Sequence, residues 1–123
     1  MKIITMTAWR RPDYFSQVLK SLEDADGIED YFVLISLDGG YEEEQDNMVE
    51  ILKQCSLNYE VIIHKENLGC AGNTGFILSE GFKRADRVIH AEEDTIFHPD
   101  ALQYLEYCLE KYEHDERIFS ITT

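Results

Sequence analysis

"YEVIIHKENLGCAGNTGFILSEGFKRADRVIHAEED", residues 59–94, decides the fold. It opens with a β-rich apolar run (59–64), passes through a glycine-rich loop and continues with Phe76, Ile77, Leu78 and Phe82 at helical spacing. It then returns to an apolar run at 87–91 that ends in three acids. A strand, a helix and a second strand in about 35 residues form the unit that builds parallel sheets, since parallel neighbours need a crossover of a dozen residues or more.

The same alternation extends in both directions. "KIITMT" (2–7) reads as a buried strand, followed by Pro12 at a helix start and by Tyr14, Phe15, Val18, Leu19 and Leu22 on one face. "YFVLISL" (31–37) is a second β-rich run, and Met48, Val49, Ile51 and Leu52 mark a helix behind an acidic first turn. Pro99 is expected to open a helix carrying Leu102, Tyr104, Leu105 and Leu109, and "RIFSITT" (117–123) reads as a fifth strand. Runs this apolar, separated by helices, imply an α/β domain with a mainly parallel sheet covered by helices on both faces. A chain of 123 residues supports one such core, taken as residues 1–123.

Charge narrows the partners. With 25 acidic against 11 basic residues the net charge is -14. That balance argues against nucleic acid and against an anionic membrane surface. No run approaches the roughly 20 apolar residues of a transmembrane helix, and the N-terminus lacks a signal-peptide pattern, so a soluble cytoplasmic protein is expected. Cys55, Cys70 and Cys108 are odd in number and form no CxxC pair, which favours reduced, mostly buried thiols over disulfides or structural zinc.

Ligands of parallel α/β sheets bind beyond the carboxyl ends of the strands. Ala8 to Arg11, Asp38 to Tyr41, Asn67 to Asn73 and Glu92 to Asp94 all fall there. A Rossmann fingerprint is absent, because the first loop, "TAWRRPD", has no glycine; "GCAGNTG" lacks the Gly-Lys-Ser/Thr of a P-loop. That loop still reads as a tight turn in which Gly69 and Gly72 provide backbone freedom and Asn73 caps the following helix. On a strand Glu92 and Asp94 share one face and Glu93 takes the other. Clustered carboxylate oxygens suit Mg2+ or Mn2+ bridged to phosphates, although a solvated acidic turn has the same composition.

At this point the sequence resembles a known family. "VIHAEEDTIFHPDALQYLEYCLE" (88–110) is similar to the strand, acidic triad and helix start of GT-A glycosyltransferases of the N-acetylglucosaminyltransferase I-like group, with family 2 enzymes as more distant relatives. "EED" stands where that group has Glu-Asp-Asp, its variant of the DXD motif. "VLISLDGGYEEEQ" (33–45) resembles the group's second strand and "MTAWRRPDYFSQVLKSL" (6–22) its first strand and helix. Asn73 stands about where that group carries a histidine, and "NLGCAGNTG" is closer to the family 2 pattern.

The resemblance implies a metal-dependent sugar transferase that binds a UDP-sugar and acts on an unknown glycan, protein or lipid acceptor. Asp94 would ligate Mn2+ or Mg2+, while Glu92 and Glu93 would meet ribose hydroxyls or metal-bound water. Asp38 would accept a hydrogen bond from uracil N3–H, and Arg10, preferred over Arg11, would contact base or diphosphate. Ala8, Asn67, Gly72 and Asn73 complete the expected nucleotide-sugar site. The chain ends at "FSITT", where the family enters its acceptor-binding half, so a donor-binding half without its general base is expected. Two rivals are a noncatalytic nucleotide-sugar-binding or assembly module and a receiver-like Mg2+ domain, the latter disfavoured because no loop lysine is well placed.

Overall fold

The computed structural model describes residues 2–123. Four strands form one parallel sheet: β1 (Lys2–Ala8), β2 (Tyr31–Leu37), β3 (Tyr59–Ile63) and β4 (Val88–Glu92). Their order is β3-β2-β1-β4. The helices are α1 (Pro12–Glu23), α2 (Glu42–Gln54), α3 (Gly69–Phe82) and α4 (Ala101–Lys111). The expected α/β class holds, and no helix among the described residues is long and apolar enough to cross a membrane.

The chain steps outward from β1 to β2 to β3 and then jumps back across both to place β4 on the far side of β1. Because parallel crossovers are right-handed, this reversal sends the returning helix to the opposite face. The core divides accordingly. Ile4, Met6, Ala8, Val33, Ile35 and Leu37 pack with Phe15, Val18, Leu19 and Leu22 of α1, Met48 and Leu52 of α2, and Leu102 and Leu105 of α4. Alternate strand residues, Ile3 and Leu34, meet Ile77 of α3 on the other face. Strand periodicity of two therefore feeds both layers, as a doubly covered sheet requires.

Helix α3 presents a stripe four residues apart: Asn73, Ile77 and Gly81 are its buried positions. Gly81 lets the helix sit close on the sheet, since a Cβ there would lie 2.6 Å from Thr5 Cγ2 and 3.0 Å from Val88 Cγ1. Thr5 is fully buried and its hydroxyl meets His90 Nδ1 at 3.0 Å, so this neighbour has no room to yield.

Three expectations are corrected. The segment 117–123 forms no strand. Asp115 instead captures the Arg117 backbone N–H, Nε and Nη2 in a local turn, and Phe119 is fully exposed. The glycine-rich stretch is helical from Gly69 onward, so Asn73 is an interior residue and not a cap, and Gly72 lies in the helix and not in a turn. Of the cysteines only Cys108 is buried; Cys70 is exposed.

Two measurements check this packing. Helix-interior Gly→Ala normally gains about 1 kcal/mol, whereas overpacking a rigid contact costs about 1–3 kcal/mol. Gly81→Ala should therefore lower the urea midpoint, and an unchanged or raised midpoint would show that the contact relaxes freely. Burial holds the His90 imidazole below its ordinary value, with Glu92 pulling the other way. The unfolded chain then binds this proton first, so the His90 contribution is complete at high pH and is lost as pH falls below about 6.5. His90→Gln should lose less stability than the parent between about pH 7 and pH 5.5; an identical loss would exclude His90 as a source.

Candidate functional site

Strand order reverses between β1 and β4, and the loop leaving β1 leads to the face covered by α1, α2 and α4, whereas the loop leaving β3 leads to the opposite face covered by α3. Such a switch point opens a crevice at the carboxyl edge. Here it is a cleft of about 230 Å³ whose lining includes Thr7, Ala8, Trp9, Arg11, Asp38, Asn67, Asn73 and all three acids of the 92–94 turn. A larger cavity of about 930 Å³ lies elsewhere, between α3, α4 and the C-terminal segment; its lining is mainly apolar and includes none of those three acids.

The three acids are not equivalent. Glu92 and Asp94 are exposed, whereas Glu93 is buried. Glu93 Oε2 accepts the Trp9 backbone N–H and Oε1 accepts Arg11 Nε at 2.7 Å. Both oxygens of the buried carboxylate are thus paired with the loop leaving β1, which closes the two lips of the switch point. Arg11 Nη2 also reaches Asp94 Oδ2 at 3.5 Å. The hydrogen bond to Glu93, helped by the two carboxylate charges, raises the Arg11 pKa above its ordinary value.

Asp38 plays a matching part on the other side. Its backbone N–H donates to Ala8 O at 2.9 Å, and its Oδ1 accepts the N–H groups of Gly39 at 2.9 Å and Leu68 at 2.7 Å. Oδ2 carries a longer contact of 3.4 Å from Asn67 Nδ2, which also donates to Gly39 O at 3.1 Å. The two glycines after Asp38 are required here. A Cβ on Gly39 would lie 2.6 Å from the Glu66 backbone, and Gly40 has φ 103°, which L side chains disfavour.

Beneath the cleft, Ser36 Oγ donates to Asn73 Oδ1 and meets His64 Nε2 at 2.8 Å, while Asn73 Nδ2 donates back to Ser36 O at 3.3 Å. This ties α3 to β2. Gln45 Nε2 joins the same region, donating to Asp38 O at 3.2 Å and to His64 O at 2.8 Å.

Of the expected residues, Ala8, Asp38, Asn67, Asn73, Glu92, Glu93 and Asp94 line one cleft; Arg10 and Gly72 do not. Arg10 lies over the rings of Trp9 at 4.6 Å and Tyr41 at 5.4 Å, and Nη1 donates to the Tyr41 hydroxyl at 3.1 Å. Arg11, placed second in the sequence reading, is the arginine in the cleft. Cys70, Thr7 and Gln45 escaped that reading. Cys70 follows the glycine that opens α3, a position visible only once the helix start is known. His98 is exposed and accepts the Asp100 N–H at 3.2 Å, away from the cleft. Among the described residues no three His, Cys, Asp or Glu side chains are grouped to hold a metal by themselves.

Known proteins share this architecture. No family model matches the chain, and no curated protein matches it. Solved structures do. A fragment of TarS from S. aureus, residues 1–349, superposes with TM-score 0.70 at 17% identity over 100% of this chain and 39% of its own. The same fragment with UDP-GlcNAc gives 0.65 at 18% identity, over 92% and 32%. A mannosyltransferase of Pyrobaculum calidifontis in complex with GDP-Man and Mn2+ gives 0.71 at 12% identity, over 87% and 31%. The likeness is one of fold. This chain spans well under half the length of each of these structures.

The division between buried and exposed acids is testable. Glu93→Gln leaves one of two buried donors facing an amide N–H, which should cost about 1–3 kcal/mol. Asp94→Asn, at an exposed site, should stay within about 0.5 kcal/mol of the parent. Urea midpoints of the two variants check this, and equal effects would refute the division.

Proposed function

We propose that this chain is the donor-binding half of a GT-A-type glycosyltransferase, holding a UDP-sugar with Mn2+ or Mg2+ in the β1/β4 cleft. The observation that carries the proposal is the pairing of one buried, fully engaged carboxylate, Glu93, with two exposed ones, Glu92 and Asp94, at the switch point of the sheet. The fold shared with structures that hold UDP-GlcNAc, or GDP-Man with Mn2+, supports it.

The donor set fits a hard divalent ion. Asp94 offers carboxylate oxygens in water, and among the described residues its one side-chain hydrogen bond is the long one from Arg11. With no three-residue metal cage among the described residues, the remaining coordination would fall to phosphate oxygens and water, as is usual for Mg2+. When bound, the ion neutralises charge on the diphosphate leaving group. Glu92 is assigned to ribose hydroxyls or metal-bound water, and Glu93 is reassigned to positioning because its oxygens are taken. Asp38 Oδ2, with a single long contact, keeps capacity to accept a hydrogen bond from uracil N3–H. Asn67 holds the Asp38 loop, Asn73 anchors α3, and Ala8 forms the wall beneath the donor. Arg10, outside the cleft, props Trp9 and Tyr41 beside it.

A noncatalytic nucleotide-sugar-binding module is the second reading. It is favoured by the commitment of both Glu93 oxygens to internal hydrogen bonds, which leaves that buried carboxylate no free oxygen to act as a general base.

Calorimetric titration with UDP distinguishes metal-dependent binding from its absence. Affinity should rise with Mn2+, and Asp94→Asn should weaken UDP binding in Mn2+ by about tenfold or more, roughly 1.4 kcal/mol. Metal-independent binding, or an Asp94→Asn variant that binds equally well, counts against the assignment. Hydrolysis of the donor to free sugar, followed by NMR, separates an enzyme from a binding module.

A further inference from the structure

We infer that Arg11 is a built-in counter-ion of the acidic turn, which a divalent cation displaces from Asp94 and thereby hands over to the diphosphate. The inference rests on the donor-binding reading above and adds to it a coupling mechanism between metal and nucleotide.

The guanidinium is held unequally at its two ends. Nε donates to Glu93 Oε1 at 2.7 Å, and that side chain is only 9% exposed. Nη2 stands 3.5 Å from Asp94 Oδ2, where the side chain is 45% exposed. A short charge-assisted bond to a buried carboxylate is the durable end; a long contact in water is the exchangeable one. The guanidinium carbon also lies 5.3 Å from the Tyr14 ring centroid, so an aromatic face supports the group beside the buried hydrogen bond. Arg11 thus has a fixed hinge at Nε and a free fork at Nη.

Charge favours the exchange. Three carboxylates and one guanidinium leave the turn with a formal double negative charge, which one divalent cation balances. Two charges at a coordination distance of about 2.1 Å attract a carboxylate roughly threefold more strongly than one charge at 3.5 Å in the same medium, although ion dehydration takes back part of that. Once Asp94 turns to the ion, the Nη donors have lost their carboxylate while Arg11 still lines the cleft. A diphosphate is the planar-fork partner they then fit. Arg10 has no such choice, since its fork is engaged with Trp9 and Tyr41.

The mechanism makes metal and nucleotide bind cooperatively, each raising the affinity of the other by the same factor. It is tested on the full chain with guanidinium-labelled arginine, titrated first with Mg2+ and then with UDP. The Arg11 Nε–H resonance should persist throughout, held by Glu93, while the Nη resonances shift on adding Mg2+ and again on adding UDP. In parallel calorimetry, metal–UDP coupling of about tenfold in the parent should fall below about threefold in Arg11→Lys, which keeps the charge but lacks the fork. Mg2+ binding that leaves the Nη resonances unmoved, or full coupling in Arg11→Lys, would overturn the role of Arg11 alone. Failure of the parent to bind Mg2+ or Mn2+ even with UDP present would overturn the donor-site reading, and this inference with it.

Discussion

Everything at the carboxyl edge of this sheet depends on the buried Glu93 carboxylate. The ladder between the neighbouring strands β1 and β4 ends at Thr7 and Glu92, so no strand hydrogen bond joins the loops beyond it. Glu93 joins them with two hydrogen bonds to a single loop, one from the Trp9 backbone and one from the Arg11 side chain. Taking a carboxylate out of water is costly unless each oxygen finds a donor. Here both do, so the burial becomes a constraint on shape: the acidic turn is fixed relative to β1 before any ligand arrives.

That constraint explains why three acids stand in a row at 92–94 in a chain already rich in negative charge. One is an anchor and two are exposed, as strand alternation continued past the end of β4 dictates. Asp38 repeats the arrangement across the cleft. Its Oδ1 gathers two backbone N–H groups from different loops, so two inward-facing carboxylates organise four loops around one small space. Preorganisation of this kind lowers the cost of ordering loops upon binding.

Much of this was legible in the sequence. Apolar runs at 31–37 and 59–64 are hard to place anywhere but in buried strands, and the parallel-sheet rule puts Asp38, Asn67 and the acidic turn on one edge. The errors have physical sources. Three glycines among residues 69–75 depress local helix propensity, yet α3 begins at Gly69, because Asp38 accepts the Leu68 N–H and Asn73 is bonded to Ser36, contacts distant in sequence. The 117–123 segment has strand composition, but composition cannot provide a neighbouring strand, and Asp115 offers Arg117 a closer partner. Choosing between Arg10 and Arg11 depends on which way the chain turns between Trp9 and Pro12. Adjacent residues of one type leave that direction invisible until the backbone is known.

The Ser36–Asn73 link determines where hydrogens must sit. Ser36 has one hydroxyl proton and gives it to Asn73 Oδ1, an orientation of the amide that the bond from Nδ2 to Ser36 O enforces. The 2.8 Å contact with His64 must then be a donation from Nε2 to Ser36 Oγ. A ring with hydrogen on Nε2 makes that bond. The relay therefore runs one way, from His64 through Ser36 to the Asn73 carbonyl, and fastens α3 to β2 with a single polarity.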